Sequence, residues 1–137
     1  MKGEINLKDE GYCFACGEHN PIGLHLNFEK IEDKLVATKN VAREYQGYEG
    51  IVHGGIVTTM LDEAMSQFIQ KFFGEQALTG RLGIRYRHPT PTNQDLKISA
   101  WQESQRRNIV AMKSAIETAD GTVTAEASAK FAIIGEK

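Results

Sequence analysis

What this chain lacks narrows its function first. No apolar run approaches the length needed to cross a membrane, and the start Met1-Lys2-Gly3-Glu4 has no apolar core of the kind a signal peptide carries. A cytoplasmic protein with no membrane partner is therefore expected. The charge of either sign is not in excess: 16 Lys and Arg stand against 18 Asp and Glu, for a formal net charge of −2. Such a balance gives no global attraction to nucleic acid, so none is expected as a partner. Only two cysteines, three prolines and one tryptophan occur, and no linker, repeat or low-complexity segment interrupts the chain. Its 137 residues read as a single domain, 1–137, with enough apolar side chains for a real core.

What is present is concentrated in one stretch, Gly50-Ile51-Val52-His53-Gly54-Gly55-Ile56-Val57, continuing through Met60-Leu61-Asp62-Glu63. From Ile56 the apolar residues fall at Val57, Met60, Leu61, Ala64, Met65, Phe68, Ile69 and Phe72, the recurrence of a helix that buries one broad face. No proline interrupts the pattern, and Gly74 ends it, which predicts one helix near Gly54 to Phe73. Helix N-termini present unpaired N–H groups and partial positive charge. The Gly54 and Gly55 amides are thus placed to polarise a carbonyl oxygen that gains negative charge, and side chains there would block its approach. Asp62 and Glu63 flank the apolar stripe on opposite sides, so periodicity leaves open which of them faces a site. The bland alternative is a tight turn followed by a solvated acidic border.

The two cysteines form a Cys-x-x-Cys pair, Cys13 and Cys16, followed by Gly17, Asn20, Pro21 and Gly23. A redox pair normally opens a helix after a strand, whereas these residues prescribe a loop. Zinc would need four ligands, which His19 and His25 would complete, but His25 alternates with Leu24 and Leu26 in an apparent strand. A structural turn is the simpler reading, with no metal.

Elsewhere the pattern is that of strands. Leu24, Leu26 and Phe28 alternate, Glu32-Asp33 turns, and Leu35 to Thr38 continues, suggesting a hairpin before a loop from Ala42 to Val52. Ala77 to His88 reads as a strand with Leu78, Leu82, Ile84 and Tyr86 on one face and Thr79, Arg81, Arg85 and Arg87 on the other, ended by Pro89 and Pro91. Strands are also expected at Leu96 to Glu103, at Ile109 to Thr118, and after the Asp120-Gly121 turn. One long helix among hairpin-linked strands argues for an α+β domain, an antiparallel sheet of five or six strands wrapped on a central helix.

Taken in order, Tyr45-Gln46-Gly47-Tyr48-Glu49-Gly50-Ile51-Val52-His53-Gly54-Gly55, Leu61-Asp62-Glu63-Ala64-Met65 and Ile84-Arg85-Tyr86-Arg87-His88-Pro89-Thr90-Pro91 resemble the hotdog-fold thioesterases of the phenylacetic-acid-degradation type. The segment Cys13-Phe14-Ala15-Cys16-Gly17 with Asn20-Pro21 and Gly23-Leu24 is similar to one branch of that superfamily. The resemblance implies an acyl-CoA thioesterase. In it Asp62 would activate water or attack the thioester, and an amide of Gly54 or Gly55 would bind the thioester oxygen. His53 would shape the turn, and Thr79 would position the water. Where many relatives carry an Asn six residues before the histidine, this chain has Gly47, and Gln46 is the substitute. A thioester has a good leaving group, so a carboxylate and an oxyanion hole suffice without a triad, metal or cofactor.

Arg85, Arg87, His88, Arg106 and Arg107 near strand ends would grip the phosphates of coenzyme A, or else serve as solvated charges that keep strand edges apart. Tyr45, Tyr48, Phe68, Phe72 and Trp101 would line an aryl or aliphatic pocket, or belong to the core. Sites at a subunit boundary, and hence a homodimer or homotetramer, are also implied. The alternatives within the fold are an acyl-CoA-binding protein without turnover and a dehydratase, and fold alone does not decide between them.

Overall fold

In the computed structural model, which describes residues 7–136, the strands β1 (Glu29–Ile31) and β2 (Lys34–Asn40) precede the helix α1 (Gly54–Phe73). Four longer strands follow: β3 (Glu75–Tyr86), β4 (Asp95–Arg106), β5 (Ile109–Thr118) and β6 (Val123–Glu136). The helix has the predicted bounds because its sequence carries both stops. His53 caps the start, and Gly74 closes the end at φ 69°, with its N–H on the Gln70 carbonyl at 3.0 Å. Its apolar stripe is buried as the spacing predicts, at Val57, Met60, Leu61, Ala64, Met65, Phe68 and Ile69.

All strand pairs are antiparallel, in the order β1-β2-β4-β5-β6-β3. The sheet wraps α1, and its inward residues, among them Leu35, Ile98, Met112, Ile116 and Phe131, complete one core with the helix. A polar tie crosses that core: the Ser114 hydroxyl of β5 donates to the Leu61 carbonyl at 3.1 Å. Bonding a helix carbonyl that already serves its own ladder, it holds the middle of α1 against the sheet.

The strands depart from the sequence reading in two places. The alternation of Leu24, Leu26 and Phe28 is real, since all three are buried, but the segment is not a strand. His25 sits at φ 55°, outside extended geometry, and the Leu24 and Leu26 amides bond the Phe14 and Ala15 carbonyls at 2.8 Å each. The hairpin begins only at Glu29.

The second departure is in β3, where the pairing with β6 slips between Thr79 and Arg81. Gly80 is the extra residue of this bulge, and the slip reverses the face on which residues before it lie. Ala77 therefore packs on the core together with Leu82 and Ile84. Thr79, expected on the face opposite Leu82, turns instead toward α1. The strand also ends at Tyr86 rather than His88, because the Arg87 and His88 amides both bond the Thr124 carbonyl, at 2.8 and 3.0 Å.

Candidate functional site

The head of α1 is organised by the His53 ring. Its Nδ1 accepts from the Gly55 N–H at 2.9 Å, so the neutral imidazole carries its proton on Nε2. The His53 N–H is itself held by the Tyr45 carbonyl at 2.9 Å, which docks the loop of residues 42–52 against the helix start. Of the two glycine amides, Gly55 is thereby occupied. The Gly54 N–H has no partner among the described residues, and its carbonyl accepts from Tyr86 Oη at 3.0 Å. Tyr86 Oη is also 2.7 Å from Thr58 Oγ1, which pins the end of β3 to the first turns of the helix.

Neither glycine has a positive φ, so backbone strain is not what excludes side chains here. A Cβ on Gly54 would meet Tyr86 Oη at an ordinary 3.6 Å, while one on Gly55 would press the His53 ring at 3.2 Å. Nothing within the chain crowds Gly54. Around it opens a cavity of about 470 Å³ lined by Tyr48, Ile51, His53, Gly54, Arg87 and His88 among others. Tyr48, weighed as a core residue, is instead 84% exposed at its rim.

Two turns further along, α1 presents adjacent carboxylates to different neighbours. Asp62 Oδ1 accepts from the Thr79 hydroxyl at 2.8 Å, a contact that exists only because the bulge at Gly80 turns Thr79 inward. Its other oxygen has no partner among the described residues. Glu63 points to the cysteine loop: Oε1 lies 3.9 Å from Cys13 Sγ, and Oε2 accepts from Gln67 at 2.9 Å. The two acids therefore face different neighbours, Asp62 the strand β3 and Glu63 the cysteine turn. Cys16, beside Glu63, has its thiol pushed well above the ordinary range, first by burial and then by that carboxylate. The environment disfavours a reactive thiolate.

The remaining candidates separate. Gln46 accepts from the Gly50 N–H at 3.2 Å and borders a different depression, with Arg43, Glu49 and Asn93. It is Gly47 that abuts His53, its ideal Cβ position 3.4 Å from the His53 Cα. Arg87 pairs with Glu126 at 2.7 Å, and the two shift each other as paired charges do, the guanidinium up and the carboxyl down. Arg85 lines another groove with Trp101 and Lys113. Arg106 and Arg107 form the β4–β5 turn, which the register places beside Ala132 of β6, whereas Arg85 lies opposite Glu126. Six residues of strand separate those positions, roughly 20 Å, so one chain does not gather the basic residues into one patch.

Comparison with known proteins adds the family. The sequence profile of the Thioesterase superfamily matches residues 49–125, from the loop before α1 into β6. No curated protein matches the chain. Among solved structures, a thioesterase superfamily protein is 26% identical with a TM-score of 0.82, over 89% of this chain and 60% of its own. This chain therefore spans less than two thirds of that protein. A hypothetical thioesterase from Streptococcus pneumoniae with coenzyme A is 23% identical, TM-score 0.74, over 82% of this chain and 90% of its own. A thioesterase from Haemophilus influenzae is 17% identical, TM-score 0.77, over 88% and 85%. The last two share the fold, one long helix wrapped by an antiparallel sheet, which is the hotdog fold.

Proposed function

Because the chain belongs to the thioesterase superfamily, we propose that it is an acyl-CoA thioesterase, akin to the phenylacetic-acid-degradation type, that hydrolyses an acyl- or aryl-CoA. The observation that carries this reading is the Asp62–Thr79 pair, a helix carboxylate anchored by one oxygen at 2.8 Å with its other oxygen free. In this reading the free oxygen takes a proton from a water as that water's oxygen bonds to the thioester carbon. The carbonyl oxygen gains charge and is held by the Gly54 N–H, backed by the helix terminus. Collapse breaks the carbon–sulfur bond, and the thiolate leaves with the proton that Asp62 took.

Gly54 and Asp62 are eight residues apart on one helix, about 12 Å along its axis. A water and an oxyanion donor serving one carbonyl must both lie within roughly 3 Å of the reacting group. One chain cannot supply both to a single substrate. The reading therefore includes a homo-oligomer in which Gly54 of one copy faces Asp62 of another. β3 supports this arrangement: it is a twelve-residue strand at the sheet edge, paired among the described residues only with β6. Continuing the sheet across a two-fold axis at β3 would set two copies of α1 side by side and antiparallel. The same axis would draw Arg87 and His88, beside one Gly54, toward Arg106 and Arg107 of the other copy, assembling a phosphate grip that one chain lacks.

The test is thiol release from short, medium, long and aryl acyl-CoAs. Asp62→Asn should keep fold and ligand affinity while lowering turnover by roughly 10²–10⁴ on the best substrate. Undiminished hydrolysis by Asp62→Asn would remove the assignment. Tight binding with no thiol release by the parent across the series would make this a carrier rather than a hydrolase.

A further inference from the structure

The turn that carries Cys13 and Cys16 takes no part in that hydrolysis, yet it is built rigidly. The Gly17 N–H returns to the Cys13 carbonyl at 2.8 Å, and a Cβ on Gly17 would collide with the Cys13 backbone. The Phe14 and Ala15 carbonyls are tied to the Leu24 and Leu26 amides, and the Ala15 side chain is buried in the core. Facing the turn is the middle of α1. Cys13 Sγ, Cys16 Sγ and a Glu63 carboxylate oxygen lie within 4.8 Å of one another.

Gln67, one helical turn beyond Glu63, donates from Nε2 to Glu63 Oε2 at 2.9 Å and to Cys16 Sγ at 3.3 Å. Both cysteines are free thiols, Cys13 exposed and Cys16 partly buried. Among the described residues no Lys or Arg forms an ion pair with Glu63. Two sulfurs and a carboxylate thus converge from two well-anchored elements, with a side-chain amide orienting two of the three and no protein cation among them.

We propose that Cys13, Cys16 and Glu63 form a binding site for a thiophilic divalent cation, zinc(II) being the natural occupant. Paired thiolates select zinc over the harder magnesium and calcium ions, and a carboxylate is a normal third ligand. A tetrahedral zinc site sets neighbouring sulfurs roughly 3.8 Å apart, about 1 Å inside the 4.8 Å within which the three ligand atoms already lie. Water fills the fourth position. The cation's own charge deprotonates the thiols it coordinates, releasing two protons to solvent even where the empty site favours the thiol form, and Gln67 then acts as the outer donor that metal ligands usually have.

The histidines considered from sequence are engaged elsewhere, His25 Nε2 with the Asn20 carbonyl at 2.7 Å and His19 Nε2 with Glu18 at 3.6 Å. The third ligand comes from 50 residues along the chain, beyond the reach of any local spacing rule. The cation's role is to clamp the amino-terminal turn onto the helix that carries Asp62, and the site stands whether or not the chain hydrolyses thioesters.

The reduced, metal-free full chain, titrated with zinc(II), should bind one equivalent and gain thermal stability. Cobalt(II) in its place should give a thiolate-to-cobalt charge-transfer band. Cys16→Ser should lose the band. Glu63→Gln, which keeps both thiols and guards against a Cys16→Ser chain that fails to fold, should weaken zinc(II) binding roughly tenfold or more. No band and no thermal shift with the parent overturns the site. Unchanged affinity in Glu63→Gln overturns the three-ligand assignment.

Discussion

At the scale of the residue, the head of α1 separates two glycines that the sequence leaves equivalent. His-Gly-Gly before an apolar stripe tells of a helix start with free amides. It does not tell which amide the histidine takes, because that depends on the His53 ring turning back on Gly55. The structure gives each residue its own signature under substitution. Gly54→Ala meets only ordinary contact, so its thermal midpoint should stay close to the parent's, while thioester turnover falls by about 10²–10³ as the methyl blocks the carbonyl. His53→Ala should instead lose the cap, about 1 kcal/mol, seen as a midpoint lower by roughly 3–5 °C. Normal hydrolysis by Gly54→Ala would show that this amide is no oxyanion donor.

At the scale of the element, α1 was legible to its ends because a single period, one cap and one stop glycine all agree. β3 was legible as a strand but not in its facing. A bulge is a local insertion relative to the partner strand, and nothing in Leu78-Thr79-Gly80-Arg81 alone says that β6 lacks a matching residue. The error matters because Thr79 depends on it. Thr79→Val keeps the shape and removes the donor to Asp62, worth about 1.5–3 kcal/mol to a charged acceptor. The kcat should fall roughly 10–100-fold with KM little changed, and Thr79→Ser should recover most of it. A KM effect alone would make Thr79 a substrate contact rather than a positioning residue. The Leu24–Phe28 segment fails for a different reason: its burial alternates as a strand's does, but His25 at φ 55° breaks the backbone that the pattern implies.

At the scale of the whole molecule, the sequence holds every proposed catalytic group, and the eight-residue spacing of Gly54 and Asp62 on one helix already sets them about 12 Å apart, but it does not say how two copies would bring them together. The composite arrangement has a direct test. Asp62→Asn and Gly54→Ala are each expected to be nearly inactive. If subunits exchange freely in a mixture of equal amounts, half the pairs are mixed, and each mixed pair holds one intact site of two. About a quarter of parental activity should return. No recovery, with subunit exchange verified by mass, would place both groups on one chain's substrate.

The two edges of the sheet are unequal, and the inequality limits what can be assembled from it. Among the described residues, β3 is an edge strand of twelve residues, whereas β1 has three, all exposed, Glu29 and Lys30 among them. A long open edge is ordinarily a route to fibres, because each added copy brings a fresh edge for the next. In the proposed pair, a copy joined through β3 would consume that long edge and present just the short one, with Glu29 and Lys30. Growth by this route would stop at two copies, so the geometry proposed for the pair would also deny it a filament.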